Sequence, residues 1–232
     1  MIVYGSIFSP YCARVALAAR YKGIKHSFEA PVGGSYKSPA FLKMNPLGKV
    51  PTLVDGPAAE GRKSKKSRPS KGATVVFESA VIVEYLDAKS KKKGLTPKNA
   101  KDAAKARMIG AVVGDYVHNA VGKLFAHLGP NPDRAAVDAI FADIAKQLDI
   151  AEQVIVAKPF AAGAKFGIAD VFALPSLTFA SFFLPVFGLD EPLKGRKKLT
   201  AYMAKARKHK LMGGVIADME AGFKVWRQSR GL

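Results

Sequence analysis

Every convincing β signal in the chain lies before residue 78, and from residue 100 onward the pattern is helical nearly throughout. Period-2 apolar runs fall at 2–6, 26–30, 50–54 and 74–77, separated by turn clusters rich in Gly, Pro, Asn and Ser. Between the first two runs, residues 9–21 read as a helix stopped by Lys22-Gly23, and 38–43 as a short helix. A helix at 79–88, with Val81, Ile82 and Tyr85 as its apolar face, follows the fourth run. The order is thus β-α-β, a β-hairpin and a closing helix. The rest is all helix, expected near 100–127, 133–155, 170–182, 195–207 and 213–225. A basic, loop-like stretch at 89–101 reads as a linker, giving an α/β domain at 1–88 and a helical domain at 102–232.

Half of the 232 residues are hydrophobic, enough for a real core. No apolar run is expected to span a bilayer, because the longest, at 171–189, is interrupted by Pro175 and Pro185. Met1 leads almost directly into the first strand, so no secretory signal is expected. The single Cys12 excludes an internal disulfide and a cysteine-based zinc site. His26, His118, His127 and His209 lack metal-ligand spacing. The expectation is a soluble cytoplasmic protein with no metal and no membrane partner. The net charge of +19 suggests attraction to polyanions or to an anionic small molecule.

The stretch F-S-P-Y-C-A-R-V-A-L at 8–17 sets up chemistry. Ser9 is a good N-cap whose side-chain oxygen can accept a hydrogen bond from the first helical turn, and Pro10 suits the first helical position. A hydroxyl and a thiol, Ser9 and Cys12, then stand at a helix N-terminus, which favours negative charge. Lys49-Val50-Pro51 places a cation beside a strand backbone. Glu78-Ser79 opens another helix. Together they offer two helix N-termini, a cation, a strand edge and a carboxylate, which suit a peptide-like ligand with carboxylates, an ammonium group and a thiol.

The motifs S-P-Y-C-A-R-V at 9–15, N-P-L-G-K-V-P-T-L at 45–53 and F-E-S-A-V-I-V-E-Y-L at 77–86 resemble those of the soluble glutathione transferases, most specifically the last two. The first motif resembles the serine- and cysteine-type classes, zeta and omega. The resemblance implies a thioredoxin-like N-terminal domain, an all-helical C-terminal domain, a cis Val50–Pro51 bond and a homodimer. It further implies that Ser9 stabilises the glutathione thiolate. Val50 would pair with the cysteinyl backbone of glutathione, Glu78 and Ser79 would bind its γ-glutamyl end, and Lys49 would face its glycyl carboxylate. Tyr4 is a rival activating residue, or a core residue. Cys12 is a second thiol in the site or a small buried residue; Tyr11 and Tyr116 are candidates for the acceptor pocket, though Tyr116 and His118 also suit packing or surface roles. F-G-I-A-D at 166–170 resembles the family's folding motif, with Gly167 where Ser or Thr is usual.

The basic insert at 56–73 departs from the family, which joins these strands by a tight hairpin. It reads as a solvated, mobile loop; a polyanion contact is the alternative, but interleaved aromatics would favour nucleic acid and it has none. Three functions follow from the resemblance: a glutathione transferase acting on an electrophilic small molecule, a maleylacetoacetate-type isomerase, and a transferase-like interaction module without catalysis. The zeta serine pair is not kept, since Pro10 and Tyr11 follow Ser9. An elongation-factor subunit carrying a transferase-like module would be expected to have an extra domain as well.

Overall fold

The computed structural model describes residues 1–56, 72–90, 94–129 and 131–231. The chain divides into two compact units, Met1–Lys93 and Gly94–Leu232, meeting inside the stretch read as a linker. Most of the basic insert, and with it the reading of a mobile loop, lies outside the described residues.

The first unit runs β1 (Ile2–Tyr4), α1 (Pro10–Lys22), β2 (Ser27–Glu29), α2 (Pro39–Leu42), β3 (Thr52–Asp55), β4 (Thr74–Phe77) and α3 (Ser79–Lys89). Its sheet has the order β2-β1-β3-β4, with β1 and β2 parallel and β3 antiparallel to both of its neighbours. The first three strands are shorter than the apolar runs suggest. Val50 and Pro51 stand just outside the ladder, in keeping with proline's missing donor. Apart from the half-buried Tyr11, Pro10 to Ala19 of α1 are all buried, which explains why this helix has no polar stripe. It ends where Gly23 takes a left-handed φ of 67°. The Lys22 side chain is fully buried and meets Asp87 of α3 at 2.7 Å. On α3 the buried residues are Ser79, Ile82, Val83 and Leu86, whereas Val81 is 50% exposed and Tyr85 donates to Asp55. The expected apolar face is therefore rotated, because Asp55 draws Tyr85 toward the end of β3.

The second unit comprises α4 (Ala100–Gly110), α5 (Val117–Gly122), α6 (Arg134–Val154), α7 (Ile168–Phe183), α8 (Lys197–Lys208) and α9 (Lys210–Ser229). One long helix was expected near 100–127; there, α4 passes through a π-helical segment, Ala111–Tyr116, into α5 and then a 3-10 turn, Lys123–His127. Gly114 sits in the π segment, where a Cβ would come within 2.9 Å of the Phe172 Cβ and carbonyl oxygen. Only a glycine admits α7 so closely. Thirteen of the 16 residues of α7 are buried, making it the centre of this unit. The span Ile168–Phe187 is long and apolar enough to cross a membrane by length and composition, with a mean hydropathy of 1.6, contrary to the sequence expectation. Pro175 lies within the helix without ending it, and two thirds of the span is buried as core.

Asp170 organises the start of α7. Its carboxylate accepts from the Gly167 and Ala161 amides at 3.0 and 2.8 Å and from the Tyr202 hydroxyl at 3.1 Å. Burial raises its pKa to about 6 against these three bonds. The reciprocal half of a capping box is missing, since Gly167 has no side chain. A Cβ at Gly167 would lie 2.7 Å from the Leu95 carbonyl oxygen, which also accepts from the Ile168 amide. Leu95 thus occupies the space that a Ser or Thr needs, and the end of the linker stretch is built into the helical unit.

Candidate functional site

Strand register brings the three marked motifs together. Tyr4, the last residue of β1, pairs with Thr52, the first of β3, and Thr52 pairs with Phe77, the last of β4. The exit of β1 toward α1, the Val50–Pro51 approach to β3 and the exit of β4 into α3 therefore share one end of the sheet. Gly5 makes the contact close: a Cβ there would lie 2.4 Å from the Cys12 sulfur and 3.3 Å from the Val50 Cβ. Its φ of 147° is one that side chains rarely adopt, so glycine is required twice over.

Ser9 is the N-cap residue of α1, with φ −67° and ψ 126°, and Pro10 follows in the first turn. The expected side-chain cap is not made. The Ser9 hydroxyl is engaged with the Cys12 thiol instead. The first turn of α1 contains no acidic residue, so its positive end is not neutralised from within the helix.

Cys12 is fully buried, and burial pushes its thiol up to about 12, against hydrogen bonds with the Ser9 side chain and the Ser6 backbone. It is protonated at neutral pH and is not a nucleophile there. Of its two sequence readings, the small buried residue is the one the structure shows. Tyr4 is 3% exposed and packs edge-on to Phe41 at 5.9 Å, in a cluster with Val32 and Val54. It is a core residue. The Arg14 guanidinium lies 5.0 Å from the centre of the Tyr11 ring, a cation–π contact that holds Tyr11 beside the helix start.

At the second motif the Val50–Pro51 bond is cis, as the resemblance implies. Lys49 is exposed and Val50 partly buried. The turn is built by Asn45, 1% exposed, which sequence reasoning passed over as a turn former. Its amide donates to the Lys49 carbonyl at 3.0 Å and to the Thr52 hydroxyl at 2.9 Å, and its oxygen accepts from the Leu47 amide at 3.0 Å. One buried side chain thereby fixes the loop that presents Lys49, Val50 and Pro51. The signal was available: an Asn five residues before Val50, between a short helix and a strand, with Gly48 at φ 59° beyond it.

At the third motif Glu78 is exposed with φ 69° and ψ 115°, a conformation that costs a non-glycine residue about 1–3 kcal/mol. Its carbonyl starts α3, accepting from the Ile82 amide at 2.9 Å, while Ser79 is 5% exposed. Strained backbone positions of this kind cluster at ligand-binding sites and switch regions. Tyr116 belongs to the helical unit, at the end of the π segment, and is 60% exposed. His118 is 7% exposed and meets Phe179 edge-on at 5.4 Å, a packing role. No cluster able to hold a metal ion occurs among the described residues.

Residues 8–89 match the glutathione S-transferase N-terminal domain, and residues 134–205 the glutathione S-transferase C-terminal domain. The chain is 34% identical over 191 residues to glutathione S-transferase 3 of Zea mays, covering 77% of this chain and 78% of that one. It is 30% identical over 185 residues to a maleylacetoacetate isomerase of Pseudomonas aeruginosa, covering 75% and 78%. The crystal structure of a glutathione S-transferase from Methylobacillus flagellatus with glutathione bound superposes with a TM-score of 0.71 at 21% identity, covering 92% of this chain and 98% of that one. With a thioredoxin-like sheet unit followed by a helical unit, and with both domains matched, the chain belongs to the glutathione S-transferase family.

Proposed function

We propose that the protein is a glutathione transferase that activates the glutathione thiol for attack on an electrophilic small molecule. The observation that carries this reading is the register Tyr4–Thr52–Phe77, which gathers Ser9, Val50–Pro51 and Glu78–Ser79 at one sheet end. Ser9 donates its hydroxyl hydrogen to the thiolate sulfur, and the unneutralised N-terminus of α1 adds its partial positive charge. Ser9 is a stabiliser, not a covalent nucleophile. The protonated Cys12 thiol behind it is able to donate to the Ser9 oxygen, leaving the hydroxyl hydrogen free for the ligand. The Val50 amide and carbonyl pair with the cysteinyl backbone of glutathione, strand to strand. Glu78 takes the γ-glutamyl ammonium, Ser79 and the first amides of α3 its α-carboxylate, and Lys49 the glycyl carboxylate. Tyr11, held by Arg14, faces the acceptor. The serine at position 9 supports a serine-type class, and the working form is a homodimer, which light scattering at micromolar concentration tests.

Calorimetry on the full chain tests the core of this reading: heat of binding at or below millimolar glutathione is expected, and none at that concentration contradicts it. The name of the Pseudomonas aeruginosa relative favours a second reading, isomerisation of an acidic substrate of the maleylacetoacetate type. The two separate in one panel assay. A transferase consumes glutathione with a haloarene, whereas an isomerase converts its substrate without net loss of glutathione.

A further inference from the structure

The positive charge has a centre that the proposed reaction does not use. Residues 194–230 hold eleven Lys and Arg against two acids, Asp218 and Glu220. Several of these cations are engaged. Arg207 pairs with Glu220, Lys194 with Glu191 and Arg196 with Asp149, each at 2.8 Å. Lys198 donates to the carbonyls of Gln153 and Ile155. Lys197, Lys208 and Lys210 are exposed, and none has an ion pair among the described residues.

Helical geometry places two of these three in one row. The core face of α8 is Leu199, Tyr202, Met203 and Ala206. On the opposite face stand Lys197, Ala201, Ala204 and Lys208, all exposed, with Lys205 on the flank. Lys197 and Lys208 lie about 16 Å apart along the axis, and Lys210 continues the basic run past the end of the helix. The face is cationic, with alanines between the lysines and no acid. It lacks the large apolar side chains that an interfacial membrane helix buries. The same lack leaves no anchor for a protein partner's pocket, and no aromatic on which an unpaired base could stack. What remains is a row of point charges, which suits phosphate contacts and carries no base-edge readout.

We propose that this face of α8, together with Lys210, binds the phosphate backbone of duplex nucleic acid without sequence preference. Sixteen ångströms is roughly five base pairs at 3.4 Å each, so the face fits one stretch of backbone. The lack of aromatics that argued against nucleic acid in the basic insert bears on single strands, not on this contact.

The test is fluorescence anisotropy of the full chain with labelled 20-base-pair duplexes of two unrelated sequences at 50 mM salt, repeated across a salt series. Both duplexes are expected to bind with equal affinity. The K197E/K208E/K210E variant is expected to bind at least tenfold more weakly, with a log–log salt slope shallower by about 3, at about 0.9 per lost phosphate contact. The Gln triple variant should fall between, and an unchanged melting temperature shows that both variants fold. The proposal is overturned if the native chain does not bind at 50 mM salt, or if the folded variants match it in affinity and slope. It is equally overturned if vesicles rich in phosphatidylserine bind through these lysines and the duplexes do not.

Discussion

The two units solve the same problem, fixing a helix start, in opposite ways. At the start of α3 in the sheet unit, Glu78 is exposed at a positive φ and its side chain makes no cap. At the start of α7 in the helical unit, Asp170 is fully buried and accepts three hydrogen bonds. One start is strained and open; the other is satisfied and closed. A strained exposed terminus costs stability and offers groups to a ligand, whereas a buried satisfied one holds the fold and offers nothing. The contrast separates residues that act on a ligand from residues that keep the chain folded, even where both are carboxylates at helix starts.

The largest expected effect lies at the closed end. Asp170→Ala leaves the Ala161 and Gly167 amides and the Tyr202 hydroxyl without their partner, and should destabilise the protein by about 3–5 kcal/mol, read by urea denaturation. The pH dependence has a definite sign. The pKa of Asp170 is about 6 in the folded chain against an ordinary 3.8, so the folded state holds its proton more tightly. The stabilisation this gives is fully present below 3.8 and lost as pH rises through 6. The stability of the native chain relative to Asp170→Asn should therefore fall by about 2 kcal/mol between pH 4 and pH 7. A flat difference would mean that Asp170 is not desolvated.

At the open end, Glu78→Ala should weaken glutathione binding by about 1.5–3 kcal/mol in calorimetry; an unchanged affinity removes Glu78 from the site. Gly167→Ser asks whether the helical unit can accept the family's usual residue. The new Cβ meets the Leu95 carbonyl, so a loss of about 1–2 kcal/mol is expected despite the added cap; a gain would show that Leu95 yields. The smallest effect sharpens the contrast most. Glu78→Gly should raise stability by about 1 kcal/mol by relieving the positive φ, while still weakening the ligand. No gain in stability would mean that the position is not strained.

The sheet unit was legible because its site rests on local motifs. Ser9-Pro10, Lys49-Val50-Pro51 and Glu78-Ser79 each mark a chain turn by themselves; the register that unites them is a property of the folded sheet. Legibility stopped where long-range contact decides the conformation. The Ser9 hydroxyl was expected to cap its helix, but Cys12, one turn on, takes it. Asn45 looked like a turn former because the burial that makes it a bracket for Lys49 is tertiary. In the helical unit the element order was readable and its details were not. The π segment is associated with the close approach of Phe172 to Gly114, and the glycine in place of Ser or Thr at 167 answers to the Leu95 carbonyl, far away in sequence. Leu124 is fully buried, while its neighbour Phe125 is 42% exposed in an aromatic stack with Phe183 at 4.7 Å. Periodicity finds the helices, but which apolar residues are covered depends on neighbours it does not see.

The role given to Ser9 is tested most directly by the thiol pKa of bound glutathione, read from thiolate absorbance against pH in the native chain and in Ser9→Ala. One charge-assisted donor contributes about 1–3 kcal/mol. The variant should therefore bind glutathione nearly as well, show a thiol pKa higher by about 1–2 units, and turn over about ten- to a hundredfold more slowly. An unchanged thiol pKa and unchanged turnover in Ser9→Ala would contradict Ser9 as the thiolate's donor and leave the N-terminus of α1 as its stabiliser.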